Sequence, residues 1–137
     1  MKIFYIIIVT LLLSSCENPS PLVLFSESLK QCHNYTDNDN SESIHMNITG
    51  LTKDGMCSVN FEAKQSKKFK LLNCHFNARQ RKDIAMFLIE FESQDISRSM
   101  RVNYNKSPWT FNFELEFNAI SNPLQEAIDQ NACSVAN

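Results

Sequence analysis

The chain has 137 residues and a mass of 15.8 kDa, which allows one compact domain and excludes a multi-domain protein. Hydrophobic residues make up 43% and charged residues 20%, so the composition excludes wholesale disorder. The 13 Lys and Arg residues against 15 Asp and Glu give a net charge of -2, unlike the basic balance of most nucleic-acid binders. Only Gly50 and Gly55 are glycines, which excludes the glycine-rich loops that hold nucleotide phosphates. We therefore expect one folded domain that binds neither nucleic acid nor a nucleotide cofactor.

Residues 1–15 have the pattern of a secretory signal peptide. Lys2 precedes an apolar run of 11 residues, 3–13, and small residues follow. Because a helix needs about 20 apolar residues to cross a bilayer, this run is too short for a permanent span. The sequence therefore predicts an exported protein.

The residues at the cleavage region, Leu13-Ser14-Ser15-Cys16, resemble the lipobox of bacterial lipoproteins. The resemblance implies that the signal is cut before Cys16 and that this cysteine carries fatty-acyl chains, which would anchor the protein to a membrane. Glu17 stands where Asp retains many enteric lipoproteins at the inner membrane, so the resemblance favours the outer membrane. The alternative is an ordinary signal peptide with a cysteine beside the cut.

The segment after the lipobox is polar and contains Pro19 and Pro21, which favours an extended chain. We predict a tether over residues 16–28, with residues 22–25 able to dock on the domain, and a single globular domain over 29–137.

Four further cysteines, Cys32, Cys57, Cys74 and Cys133, predict two disulfides in an oxidising compartment. Three pairings are open. We favour Cys57 with Cys74, since both fall in predicted strands, and Cys32 with Cys133, since that bond would join the two ends of the domain. Zinc is the rival interpretation, but the cysteines and histidines lack the spacing of metal ligands, so we expect no metal site and no cofactor.

Alternating apolar residues predict most of the strands. Strands over residues 44–49 and 57–63 flank a turn at 53–55 and form a hairpin, and a third strand covers 69–76. Further strands are predicted near 100–104 and over 109–117, where Trp109, Phe111, Phe113, Leu115 and Phe117 share one face. This aromatic face is expected to be core rather than a ligand groove.

Two helices are predicted between and after these strands. Asn77 and Gln80 resemble a capping box at the start of a helix over residues 78–91, although 84–92 could instead form a buried strand. Asn122-Pro123 starts a short helix that ends near Cys133. The order of elements predicts an α+β domain: an antiparallel sheet of about five strands with one or two helices packed on one face, and two disulfides.

Catalytic motifs are not found in the sequence. His33, His45 and His75 are interpreted as surface or hydrogen-bonded side chains, and neither a nucleophile elbow, HExxH nor CxxC occurs. We therefore expect a protein that is not an enzyme.

One segment is strongly basic. It places 7 of the 13 basic residues in a 19-residue window without an acidic residue, which predicts a patch for an anionic partner. The patch consists of Lys64, Lys67, Lys68, Lys70, Arg79, Arg81 and Lys82.

These observations favour a membrane-anchored lipoprotein that faces the periplasm and acts as a non-enzymatic interaction or structural module of the cell envelope. Its partners would be the membrane, through the acyl chains, and an envelope protein. The alternative is an exported inhibitor or ligand-binding module with a role like that of lysozyme inhibitors, and a small envelope hydrolase comes third.

Overall fold

The computed structural model describes residues 18–37, 44–65 and 68–136, and the predicted signal peptide, Cys16 and Glu17 lie outside these residues. In chain order, the elements are α1 (Pro21–Gln31), β1 (Tyr35–Thr36), β2 (Ile44–Leu51), β3 (Cys57–Gln65), β4 (Lys68–Phe76), α2 (Ala78–Ser93), β5 (Arg98–Asn103), β6 (Thr110–Leu115), β7 (Asn118–Ile120), α3 (Pro123–Asp129) and β8 (Cys133–Ala136). The predicted α+β class with a five-stranded antiparallel sheet is confirmed.

The main sheet has the strand order β1-β2-β3-β4-β8, and a second sheet has the order β5-β6-β7. The predicted strands near 100–104 and 109–117 therefore do not belong to the main sheet. Its outer strands are instead β1 and β8, which are only 2 and 4 residues long. Strands this short are difficult to recognise by periodicity, because alternation needs several residues to become visible.

One face of the main sheet carries the core. Alternate residues of β2, β3 and β4 are buried, as their polar-apolar alternation predicts. Gly55 has a φ of 77°, a backbone conformation that favours glycine, in the turn between β2 and β3. The buried residues of this face are Ile44, Met46, Ile48, Cys57, Val59, Phe61, Ala63, Leu72, Cys74 and Phe76.

The ambiguous segment 84–92 is helical. The capping box is confirmed, with the Asn77 side chain accepting from the Gln80 amide at 2.8 Å and the Gln80 side chain accepting from the Asn77 amide at 3.0 Å. Ile84, Leu88 and Phe91 are buried along one side of α2. The last helix is shorter than predicted: α3 ends at Asp129, and Cys133 begins β8.

The predicted tether is wrong over most of its length. Residues 21–31 form α1, in which Phe25 and Leu29 are fully buried, so the domain starts near residue 20 rather than at 29. The error came from interpreting Pro21 as a sign of extended chain, because proline is equally well suited to the first position of a helix. Ser20 caps this helix, and its hydroxyl accepts a hydrogen bond from the Val23 amide at 3.3 Å.

All four predicted cysteines are paired, but the predicted pairing is wrong. The disulfides join Cys32 to Cys57 and Cys74 to Cys133. Cys74 cannot face Cys57 across the sheet, because the register places it opposite Val59 on β3 and opposite Cys133 on β8. The missed strand β8 and the missed helix α1 thus account for the error.

Phe117 is not part of the core. β6 ends at Leu115, and Glu116 and Phe117 both have positive φ values in the turn to β7. The Phe117 side chain is 87% exposed, whereas Trp109, Phe111 and Phe113 are buried, as expected of a core face.

Candidate functional site

The first helix has a defined direction along the main sheet. Its C-terminal end is bonded through Cys32 to Cys57, where β3 begins, and Phe25 packs against Phe61 in the middle of β3, with ring centroids 6.2 Å apart. The start of α1 therefore points toward the end of the sheet at which β3 ends and β4 begins. We call this the tether end, because residues 17–20 lead into it, and we call the opposite end the distal end.

Helices α1 and α2 are antiparallel. A groove of about 460 Å³ is shared by the start of α1, through Ser20 and Leu22, and the end of α2, through Phe91 and Glu92. At the distal end, a cavity of about 510 Å³ is shared by Lys30 near the end of α1 and by the first turns of α2. The two ends of the helix pair thus offer two different surfaces.

The seven residues of the predicted basic patch do not form one surface. Lys64, Lys68 and Lys70 lie at the tether end, whereas Arg79, Arg81 and Lys82 follow β4 at the distal end. From Lys68 to Phe76 the strand spans about 26 Å, since an extended residue advances about 3.3 Å. Lys67 lies outside the described residues.

At the tether end, an aromatic side chain lies among the lysines. Phe69 pairs with Lys64 across the hairpin and is 57% exposed. The Lys70 Nζ atom donates to Asn105 Oδ1 at 3.1 Å and lies 5.9 Å from the centre of the Tyr104 ring. Lys64 and Lys68 are exposed, so this end of the hairpin presents positive charge on both faces, with Lys64 on the same face as Phe69.

At the distal end, Lys30 joins the predicted basic residues. The Nη1 atom of Arg81 is buried and has no hydrogen-bond partner among the described residues. Arg79 lies 3.8 Å from Asp83, and Lys30 lies 3.4 Å from Glu27, both as exposed pairs within one helix. Two of the four basic side chains are thus paired with acidic ones, and Arg81 and Lys82 leave the charge here only partly balanced.

The groove beside Ser20 has a mixed lining. Met46, Ile96 and Met100 supply apolar surface, and Arg98 bridges the neighbouring loop, with its Nε atom 3.6 Å from Glu92 Oε1 and its Nη1 atom donating to the Gln94 carbonyl at 2.6 Å. The groove is open to solvent along the 96–100 segment.

Tyr35 links β1 to the start of α1. Its hydroxyl donates to the Pro21 carbonyl at 3.3 Å. Burial, and to a smaller extent the charge of Asp37, raises the pKa of Tyr35 above its usual value. The phenol therefore remains a hydrogen-bond donor throughout the physiological pH range.

The three histidines lie on different segments: His33 follows α1, His45 is on β2 and His75 is on β4. His33 and His75 are exposed, and His45 Nδ1 lies 3.9 Å from Asp37 Oδ2. Within residues 18–37, 44–65 and 68–136, no three His, Cys, Asp or Glu side chains are arranged to hold a metal ion. No helix in these same ranges is long and apolar enough to cross a membrane.

Several residues of the two ends were not predicted from the sequence. Lys30, Ile96 and Arg98 show no local pattern that sets them apart. The exposure of Phe69 could have been predicted from the sequence. Leu72, Cys74 and Phe76 point inward, and the strand period of 2 places residue 69 on the opposite face.

Comparisons of the chain with protein-family models, with curated proteins and with solved structures found no match.

Proposed function

We propose that this chain is an exported lipoprotein that holds a small, non-enzymatic interaction domain close to a membrane of the cell envelope. The acyl chains on Cys16 anchor it, and the folded domain binds another envelope component. The proposal combines the lipobox-like residues with the position of the first helix.

The observation that carries the proposal is the small number of residues between Cys16 and the start of the fold. Ser20 caps α1, so residues 17–20 are all that separates the cysteine from the domain. Four extended residues span at most about 14 Å. A domain with this connection would stay next to the lipid surface rather than at the end of a long tether.

The disulfides support export. Both bonds close within one domain, Cys32 with Cys57 and Cys74 with Cys133, which is typical of proteins that fold outside the reducing cytosol. With these four cysteines paired, Cys16 is the remaining cysteine of the chain and is free to take up a lipid.

Acylation can be tested by labelling growing cells with a radioactive fatty acid. We expect the label in the full chain and in a Ser14→Ala control, which keeps a small residue in the lipobox-like motif, but not in Cys16→Ala. Incorporation into Cys16→Ala would contradict the proposal.

The interaction role can be tested by cross-linking in intact cells and purification from membranes. We expect a stable envelope partner whose yield falls when Arg79 and Lys82 at the distal end are replaced by Glu. The matched control is Lys53→Glu, an exposed lysine in the turn between β2 and β3. Recovery of a foreign hydrolase instead would favour the inhibitor function.

A second candidate function is a ligand-binding module for a small anion. The unpartnered Arg81 Nη1 atom at the 510 Å³ cavity favours it, because a buried donor without a partner is costly and a bound anion would satisfy it. Titration with inorganic phosphate, followed by calorimetry, would show saturable binding that Arg81→Gln abolishes. No heat of binding would rule out this candidate for phosphate.

A further inference from the structure

The tether end exposes large apolar side chains in three separate segments of the chain. Phe69, at the start of β4, is 57% exposed, and Ile96, in the loop after α2, is 40% exposed and lines the groove beside Ser20. Phe117 is 87% exposed and follows Glu116, whose amide donates to the Ser97 carbonyl at 2.7 Å. The loop that carries Ile96 therefore also contacts the turn that carries Phe117.

Other exposed apolar side chains lie elsewhere. Leu51 is 58% exposed and pairs with Cys57 at the distal end, and Leu24 and Met86 project from α1 and α2. Leu51 has almost the same exposure as Phe69 at the opposite end of the same sheet. Leu51 is therefore a matched control for Phe69: a probe at either position is equally exposed, and the two differ in the end of the sheet at which they lie.

The charges around Phe69 are mostly positive. Lys64 faces it across the hairpin on the same face of the sheet, whereas Lys68 and Lys70, its neighbours in sequence, belong to the other face at this end of the strand. Glu62 is the acidic residue of this hairpin, opposite Leu71 and one strand period away from Lys64. Lysines interleaved with an exposed aromatic residue are suited to an anionic lipid surface, where the ring enters the headgroup region and the amines meet phosphates.

The connection to Cys16 selects the same end of the molecule. α1 starts at the tether end, and the five residue steps from Cys16 to Pro21 place its first residue at most about 18 Å from the anchored cysteine. α1 is about 16 Å long, so Lys30 and the distal basic residues lie at the opposite end of the helix from the residue to which the segment 17–20 connects.

We propose that the tether end, with both faces of the β3–β4 hairpin, contacts the anionic bilayer that holds the acyl chains of Cys16. Phe69 and Ile96 enter the headgroup region, Lys64, Lys68 and Lys70 contact lipid phosphates, and the distal end faces away from this membrane. This inference rests on the proposed acylation of Cys16. The lysines of the tether end would then contact the membrane, and the basic residues of the distal end would be left for the envelope partner.

The orientation can be tested with the mature, acylated protein in vesicles of phosphatidylcholine, with or without phosphatidylglycerol. Phe69→Trp and Leu51→Trp each place one exposed indole at one end, and buried Trp109 contributes the same background to both. With phosphatidylglycerol present, we expect the emission of Phe69→Trp to shift to the blue and to be quenched by brominated lipids. Equal quenching of Leu51→Trp would overturn the proposal.

The role of the lysines is tested in the Phe69→Trp background. Lys64→Glu with Lys68→Glu should remove the dependence on phosphatidylglycerol, since each basic residue near an anionic surface changes the docked-to-undocked ratio about fivefold. Arg79→Glu with Lys82→Glu makes the same charge change at the distal end and should leave the quenching unchanged. If the two double variants show the same quenching, the lysines of the tether end do not direct the docking, and the proposal is contradicted.

Mass spectrometry of the same samples separates this inference from the proposed function. Protein without acyl chains on Cys16 contradicts the lipoprotein proposal itself. Acylated protein in which the indole at position 69 stays in water contradicts only the orientation.

Discussion

Cys32, the residue that follows α1, is disulfide-bonded to Cys57, the first residue of β3, with Cα atoms 5.7 Å apart. The bond joins the helix nearest the lipobox-like cysteine to a central strand of the main sheet. Cys32 has a φ of 54° and ends the helix in a left-handed conformation. The direction of α1, and with it the identity of the tether end, depends on this connection.

Replacing either pair of bonded cysteines by serine should lower the free energy of unfolding. The bonds close loops of 25 and 59 residues, so loop entropy predicts losses of about 3.5 kcal/mol for Cys32/Cys57 and about 4 kcal/mol for Cys74/Cys133. Urea unfolding measures both losses. Peptide mapping without reduction checks the pairing, and a peptide linking Cys57 to Cys74 would contradict the structure.

Asn122→Ala should lower the free energy of unfolding by about 2–3 kcal/mol. The side chain caps α3 by accepting from the Gln125 amide at 2.8 Å, and it donates to the Phe111 carbonyl at 3.1 Å inside the fold. The cap contributes about 1 kcal/mol, and the buried carbonyl left without a partner costs a similar amount or more. Asn118→Ala, at an exposed position, is the control and should change stability by less than about 0.5 kcal/mol.

The two phenylalanines of the 109–117 segment should respond differently to truncation. Phe113 is fully buried and meets the rings of Phe87 and Phe91 edge-on, with both centroid distances at 5.0 Å, so Phe113→Ala should cost about 3–5 kcal/mol. Phe117→Ala should change stability by no more than about 0.5 kcal/mol, since the ring is exposed. Thermal and urea unfolding measure both, and a large loss at Phe117 would mean that the strand continues past Leu115.

Stability should depend on Tyr35 at alkaline pH. Because burial raises its folded-state pKa, the native state favours the protonated phenol, and this stabilisation is present below the unfolded-state pKa. It is lost as the pH rises through the folded-state pKa. The free energy of unfolding of the wild type should therefore fall more steeply than that of Tyr35→Phe above about pH 10, the usual pKa of tyrosine, and parallel curves in this range would show that the phenol does not contribute.

The local elements could largely be predicted from the sequence. Alternation over 44–49, 57–63 and 69–76 predicted β2, β3 and β4, because a strand with one buried face must repeat every second residue. The capping residues Asn77 and Asn122 marked the starts of α2 and α3, since their side chains satisfy backbone amides that a helix leaves unpaired.

The arrangement of these elements could not be predicted in the same way. The assignment of β5 and β6 to a second sheet, the short strand β8 and the disulfide partners depend on contacts between residues far apart in the chain. The basic segment shows this most clearly: adjacent in sequence, its lysines and arginines are separated by the length of β4.

By itself, the sequence determined the hydrophobic faces and indicated that four cysteines pair, and it predicts an export signal and a lipidated Cys16, because each of these is a property of short segments. Only the tertiary structure decided which cysteines meet, that residues 21–31 join the core as α1, and which side chains share the end from which the chain leads back to Cys16. Those outcomes depend on which buried faces pack together, and the same local pattern is compatible with several ways of packing.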